Sequence, residues 1–261
     1  MDLKLFDTHC HIQFAQFDAD RDAVLARMVE KKMGAVVVGT DLASSQVAVE
    51  LARQHDFLWV SVGLHPTDSH GGVFDEDAFA ELAKDPKVVA IGECGLDYFR
   101  IAEADKERAK KTQTDILRPQ IELSIKVKKP MMIHCRDAHE DLLPMVEQYK
   151  RENSDGLQVI MHFFTGTAEL ARKCLALGCY LSFPGPITFT DMYDESIIAT
   201  PMDKILSETD SPFAAPAEHR GRRNEPAYVE EVVTKLALLR KVSQEEMSAQ
   251  VVANAKKVFG I

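Results

Sequence analysis

The feature that most constrains the fold is a rhythm that repeats eight times, a short apolar run rich in β-branched residues followed by a longer amphipathic stretch. The runs fall at residues 3–7, 35–40, 58–63, 88–92, 131–134, 157–162, 179–183 and 204–208. Runs this short, separated by stretches with helical spacing, predict βαβ units and a parallel sheet. Helices are expected at 21–33 with Gly34 as the C′ glycine, and at 44–55, 76–84, 106–128 and 140–151. A further helix is expected at 168–177, followed by Gly178, and residues 226–241 and 244–259 would form the closing helices. Pro119 and Pro144 fall inside two of these stretches, where each would kink its helix or mark a break, and a tolerated kink on an outer helix is the favoured reading. Eight such units in 261 residues is the size of a (β/α)8 barrel, and no linker or low-complexity tract divides the chain. The fold class expected is α/β, a single TIM barrel over 1–261 with its active site at the C-terminal ends of the strands.

Composition narrows the function classes. With 46% hydrophobic residues the chain can bury a large core, and its net charge of −10 argues against non-specific nucleic-acid binding. A phosphodiester substrate stays open, because bound cations can dominate the local field. The five cysteines (Cys10, Cys94, Cys135, Cys174 and Cys179) are odd in number and include no Cys-x-x-Cys pair. That pattern suits a reducing cytosol rather than a disulfide framework. No apolar run approaches the roughly 18 residues of a membrane span. The first residues also lack a basic segment followed by an apolar one. A cytoplasmic protein with no membrane contact and no obligate protein partner is expected.

The chemistry shows first in Asp7-Thr8-His9-Cys10-His11. Residues two apart on a strand share a face, so two imidazoles converge, as a transition metal requires. Chance alone would supply about 0.3 His-x-His pairs in such a chain, so context has to decide. In a barrel, chemistry collects where strands end. His9 and His11 leave the first run, Glu93 the fourth, His134 the fifth and His162 the sixth, while Asp210 follows the eighth. His65 ends the third run at the same rim, and His55, His70, His139 and His219 lie elsewhere. One histidine at a strand end is more often a hydrogen-bonded rim residue than a ligand. Six metal-competent side chains aimed at one mouth favour metal, and they exceed the three or four protein ligands of one zinc. The count suggests two metals that share a carboxylate.

Seven segments together resemble the TatD family of metal-dependent DNases, within the wider amidohydrolase group of barrels. They are DTHCH (7–11), GLHP (63–66), IGECGLDYF (91–99), PMMIHCRDA (130–138), MHFFTG (161–166), SETDSPF (207–213) and HRGRRNEP (219–226). The resemblance covers essentially the whole chain. It implies that His9, His11 and Asp210 hold a first divalent metal ion and His134 and His162 a second, with Glu93 as the bridge. Zn, Mn or Mg are the candidate ions. A glutamate at the fourth strand separates the chain from dihydroorotase-like relatives, which use a modified lysine there. Phe163 stands where the family more often has Cys or Ser, and Pro184 and Pro186 flank Gly185 where a less constrained loop is common.

The activity expected is hydrolysis of DNA phosphodiester bonds, as a 3′–5′ exonuclease on single strands. Two cations about 3.5–4 Å apart supply a nucleophilic oxygen, neutralise the phosphate and aid the leaving oxygen. Asp210 is the candidate general base. Glu208, two residues earlier, would steady a ligand histidine. His65, Arg136, Arg220 and Arg222 are candidate phosphate contacts. Tyr98, Phe99, Phe163 and Phe164 are candidate stacking partners for bases. Cys10, Cys94 and Cys135 each follow a candidate ligand, so alternation turns them toward the barrel wall as packing residues. Two competing readings are an amidohydrolase-type enzyme acting on a small ester, lactone or aminoacyl bond, and a metal-binding scaffold without turnover.

Overall fold

A computed structural model describes residues 2–67, 74–153 and 156–261, so His70 lies outside the described residues. The eight strands are β1 (Leu5–Cys10), β2 (Met33–Val38), β3 (Leu58–Val62), β4 (Val88–Asp97), β5 (Met131–Arg136), β6 (Val159–Met161), β7 (Tyr180–Phe183) and β8 (Ile205–Ser207). They pair in chain order as one parallel sheet. The seam between β8 and β1 is held by a bridge from Cys10 to Ser211 and by the Ser207 hydroxyl, which donates to the Phe6 carbonyl at 3.0 Å. Between the strands run α1 (Arg21–Glu30), α2 (Leu42–Arg53), α3 (Glu76–Leu82), α4 (Lys106–Val127), α5 (His139–Glu152), α6 (Ala168–Ala176) and α7 (Asp194–Ala199). The chain closes with α8 (Val229–Arg240) and α9 (Gln244–Phe259). The alternation read from the sequence is therefore a (β/α)8 barrel, as expected.

Two apolar layers follow from strand alternation. One fills the barrel itself with Phe6, Val36, Val38, Ala90, Met132, Ile160 and Leu206, and α9 closes it with Phe259 stacked on Phe6 at 6.2 Å. The other lies between strands and helices.

The register breaks where the site begins. Phe6 packs in the barrel, and an odd spacing of three should turn His9 to the opposite face. The ladder runs Asp7 opposite Ala35 and then Cys10 opposite Val37, so β1 carries one extra residue and His9 points inward again. β4 does the same: Ile91 faces Met131 and Cys94 faces Ile133, which returns Glu93 to the interior after Ala90. Glycine makes this bulge possible. Gly92 and Gly95 have φ of +141° and +146°, and a Cβ on Gly95 would stand 1.9 Å from the His134 carbonyl oxygen.

Several expectations need correction. Gly34 does not cap a helix; it lies within β2, where the Leu3 and Phe6 side chains leave no room for a Cβ, both 2.9 Å from where one would stand. The left-handed turn after α1 is made by Lys32 at φ 54°. Pro119 and Pro144, by contrast, lie inside continuous helices α4 and α5, in line with the tolerated-kink reading, since each proline costs one backbone hydrogen bond and the flanking turns keep theirs. Strands β4 and β5 run on past Glu93 and His134 to Asp97 and Arg136, as a paired extension beyond the end of β6.

Replacement of Gly95 by alanine is expected to cost about 2 kcal/mol or more, since it combines a forbidden φ with a collision against backbone. Chemical denaturation of the metal-free protein would measure it, and a loss below about 0.5 kcal/mol would contradict the tight β4–β5 approach.

Candidate metal centre

Six of the eight strands, β1, β3, β4, β5, β6 and β8, bring a side chain of the site to the same end of the barrel, from the strand itself or the residues just after it. Asp7 prepares the first pair from beneath: its Oδ1 accepts from the His9 N–H at 3.1 Å and from the Thr209 N–H at 2.9 Å, which ties β1 to the segment after β8. Burial pushes the Asp7 carboxyl well above the usual carboxylate range. His9 and His11 then bring their Nε2 atoms within 3.2 Å of each other. The Asp210 N–H donates to the His9 carbonyl at 2.9 Å, and Asp210 Oδ1 lies 3.4 Å from His11 Nε2 and 3.7 Å from His9 Nε2.

Glu93 stands at the centre, and its two oxygens address different imidazoles. Oε2 faces His9 at 3.4 Å and His11 at 3.8 Å. Oε1 faces His162 Nε2 at 2.9 Å, His134 Nδ1 at 3.1 Å and His65 Nε2 at 3.5 Å. His9 and His162 stack with ring centres 3.8 Å apart. All six sequence-derived ligands and His65 thus meet around one carboxylate.

The imidazoles of His11, His162 and His134 are held from behind by acceptors. His11 Nδ1 donates to the Val38 carbonyl at 2.8 Å, which leaves its Nε2 lone pair facing the centre. His162 Nδ1 meets Glu208 Oε1 at 3.1 Å, and the same oxygen accepts from the Phe163 N–H at 2.8 Å. Glu208 therefore braces a histidine, as expected from its spacing. His134 Nε2 meets Asp97 Oδ2 at 2.9 Å, a partner the sequence reading missed. Asp97 shares the parity of Glu93 four residues earlier, so alternation along β4 was the signal that pointed to it.

Electrostatics agrees with a site made for positive charge. Burial opposes ionisation of Glu93, yet His162, His65 and His9 around it hold its carboxyl well below the usual range. Burial likewise works against a charge on His162, but Glu208 and Glu93 raise its pKa well above the ordinary imidazole value. Asp210 is lowered against the burial effect by His11, His9 and His162. His9 is lowered by burial and by the neighbouring His162.

This donor set fits divalent metal. Imidazole nitrogens, most of them oriented by a partner on the far side, and two carboxylates suit Zn or Mn, and oxygen-rich positions at Glu93 and Asp210 also suit Mg. The triads His9–His11–Glu93 and His65–Glu93–His134 each bring three ligand atoms within 4.8 Å of one another, and His9, His162 and Glu208 form a third.

Above the centre opens a cavity of about 620 Å³ lined by His11, His65, Glu93, His134, His162 and Asp210, with Phe14, Arg136, Phe163, Tyr193 and Phe213 among its walls. Arg136 lies flat on Phe99, its guanidinium carbon 3.5 Å from the ring centre. Other expectations fall away from it. Arg220 covers Phe189 at 4.2 Å, Arg222 is exposed, and neither lines the cavity. Phe164 is buried against Phe183 in the layer under the helices, Tyr98 is half-buried on that same layer with Lys110 Nζ 5.2 Å from its ring centre, and neither lines the main cavity. Cys10 and Cys94 are buried packers as expected. Cys135 is only half-buried and borders the cavity, since β5 outruns β6 there. His139 borders an adjoining pocket of about 220 Å³ that shares Arg136 and Phe163 with the main cavity. Phe14, Phe213 and Tyr193 were not foreseen as lining residues.

Among the described residues no helix is long and apolar enough to cross a membrane. The sequence model of the TatD-related DNases matches residues 6–260. A metal-dependent hydrolase of Bacillus subtilis, YabD, is 41% identical over 98% of this chain and 99% of its own length. The 3′–5′ ssDNA/RNA exonuclease TatD of Escherichia coli is 34% identical over 98% and 99%. The crystal structure of the TatD homologue YjjV from Escherichia coli superposes with a TM-score of 0.89 at 26% identity, covering all of both chains.

The bracing carboxylates carry a prediction. Glu208→Gln and Asp97→Asn should each weaken binding of Zn²⁺ or Mn²⁺ by about 10–100-fold, with the fold retained. Calorimetric titration of metal-stripped protein would read it, and unchanged affinity in both variants would show that these contacts do not tune the ligands.

Proposed function

The chain belongs to the family of TatD-related DNases, and from that premise we propose that it is a divalent-metal-dependent deoxyribonuclease removing nucleotides from the 3′ ends of single strands. The observation that carries the reading is Glu93, whose Oε2 serves one pair of imidazoles and whose Oε1 serves another set. A carboxylate so placed suits two cations, one held with His9, His11 and Asp210 and the other with His134 and His162. When bound, such a pair neutralises phosphate charge and brings the pKa of water close to neutral.

The side chains do the rest. Asp210 is kept in its ionised form by the histidines around it and has its carboxylate at the cavity wall, where that carboxylate can accept the proton of the attacking water. Its backbone sits at φ 57°, a left-handed conformation that the Asp210 N–H bond to His9 helps to hold. His65, its Nδ1 bonded to the Thr67 hydroxyl at 2.8 Å, turns Nε2 inward for a phosphate oxygen. Arg136, fixed by Phe99, offers the edge of its guanidinium for bidentate phosphate contact. Arg220 and Arg222, outside the cavity, would meet phosphates farther along the strand.

A 5′-labelled single-stranded oligonucleotide incubated with Mg²⁺, Mn²⁺ or EDTA tests the proposal. The expected result is a metal-dependent ladder shortening from the 3′ end, slowed about a hundredfold or more by Asp210→Asn. Intact DNA beside metal-loaded protein overturns the nuclease reading, and equal rates in the variant remove Asp210 as the base.

A further inference from the structure

The metal centre accounts for the floor of the cavity but not for two rings that stand above it. Phe14, in the turn after β1, lies nearly flat on the His11 imidazole, with ring centres 4.6 Å apart and planes 14° from parallel. Phe213 turns its edge toward both, 6.2 Å from His11 and 6.5 Å from Phe14. Both line the cavity, and Phe213 is 48% exposed.

Those edge contacts cover only part of the Phe213 ring, and its position is fixed by the backbone. Its segment runs between two left-handed residues, Asp210 at φ 57° and Ala214 at φ 51°. The buried Asn224 clamps this segment: its Nδ2 donates to the Thr209 carbonyl at 2.9 Å and the Phe213 carbonyl at 2.7 Å, and its N–H donates to the Pro212 carbonyl at 3.1 Å. Leaving an apolar ring in water and strained backbone beneath it both cost stability. A fully hydrogen-bonded buried amide sustains that cost at one place, beside the proposed base.

We propose that Phe14 and Phe213 form a seat on which an unpaired nucleobase stacks while its phosphate lies over Glu93. The inference rests on the nuclease reading. Every base has a π-face, so such a seat is indifferent to sequence. A base within a duplex is already paired and stacked, and it reaches the seat only after leaving its partner. The seat therefore favours single strands and frayed ends, and it does so through the base rather than the phosphate.

Substrate and enzyme can be varied together. Wild type, Phe213→Ala, Phe14→Ala and Phe213→Trp are compared on a single-stranded oligonucleotide and on the same strand with an abasic residue at the 3′-terminal or penultimate position. Phe213→Ala should lower kcat/KM about tenfold on the normal strand, through KM, and Phe213→Trp should restore it. On one of the abasic strands the difference between wild type and Phe213→Ala should vanish. An equal loss on normal and abasic strands, with the wild type active, overturns the seat and leaves the nuclease reading standing. No cleavage of any strand by the wild type overturns both.

Discussion

Everything at the mouth of this barrel is arranged around one buried carboxylate. Glu93 is 4% exposed, and an isolated ionised carboxylate at that depth would be prohibitively costly. Imidazoles on both sides make its charge tolerable, and its charge in turn lets several basic rings stay buried together. Remove the carboxylate and the histidines have no common partner; remove the histidines and it has no counter-charge. Divalent cations satisfy both needs at once, which is why a protein would retain so unfavourable a cluster in its interior.

That cluster is supported by a shell of acceptors whose roles are mostly geometric. Val38, Glu208 and Asp97 hold the outer nitrogens of His11, His162 and His134, so the inner nitrogens are fixed in direction before any ion arrives. Asp7 stitches β1 to the segment after β8, and Asn224 clamps the same segment from outside. The seam of the barrel and the wall of the candidate site are thus one construction. The rigid strands supply position, while the left-handed residues at Asp210 and Phe163 aim groups that regular backbone would turn away.

Much of this was legible in the chain. The eightfold alternation and the placement of His9, His11, Glu93, His134, His162 and Asp210 near strand ends required only local periodicity and the rule that barrels do chemistry there. The errors share a cause. Gly34 was read as a helix cap, and Phe164 as a rim aromatic, because local pattern does not reveal which face a neighbouring element will cover. Phe14 and Phe213 escaped notice for the same reason: neither carries chemistry that a motif would flag, and only proximity to His11 gives them meaning.

By itself the sequence determined the order of strands and helices, the residue types that gather at the mouth, and the family to which the chain belongs. It did so because periodicity and side-chain chemistry are local properties. Only the tertiary structure decided that His9 and Glu93 face inward at all. Each lies three residues beyond an inward neighbour, Phe6 and Ala90, and strict alternation would have turned both toward the helices. An extra residue in each ladder reverses that outcome, and an extra residue is defined only against a partner strand.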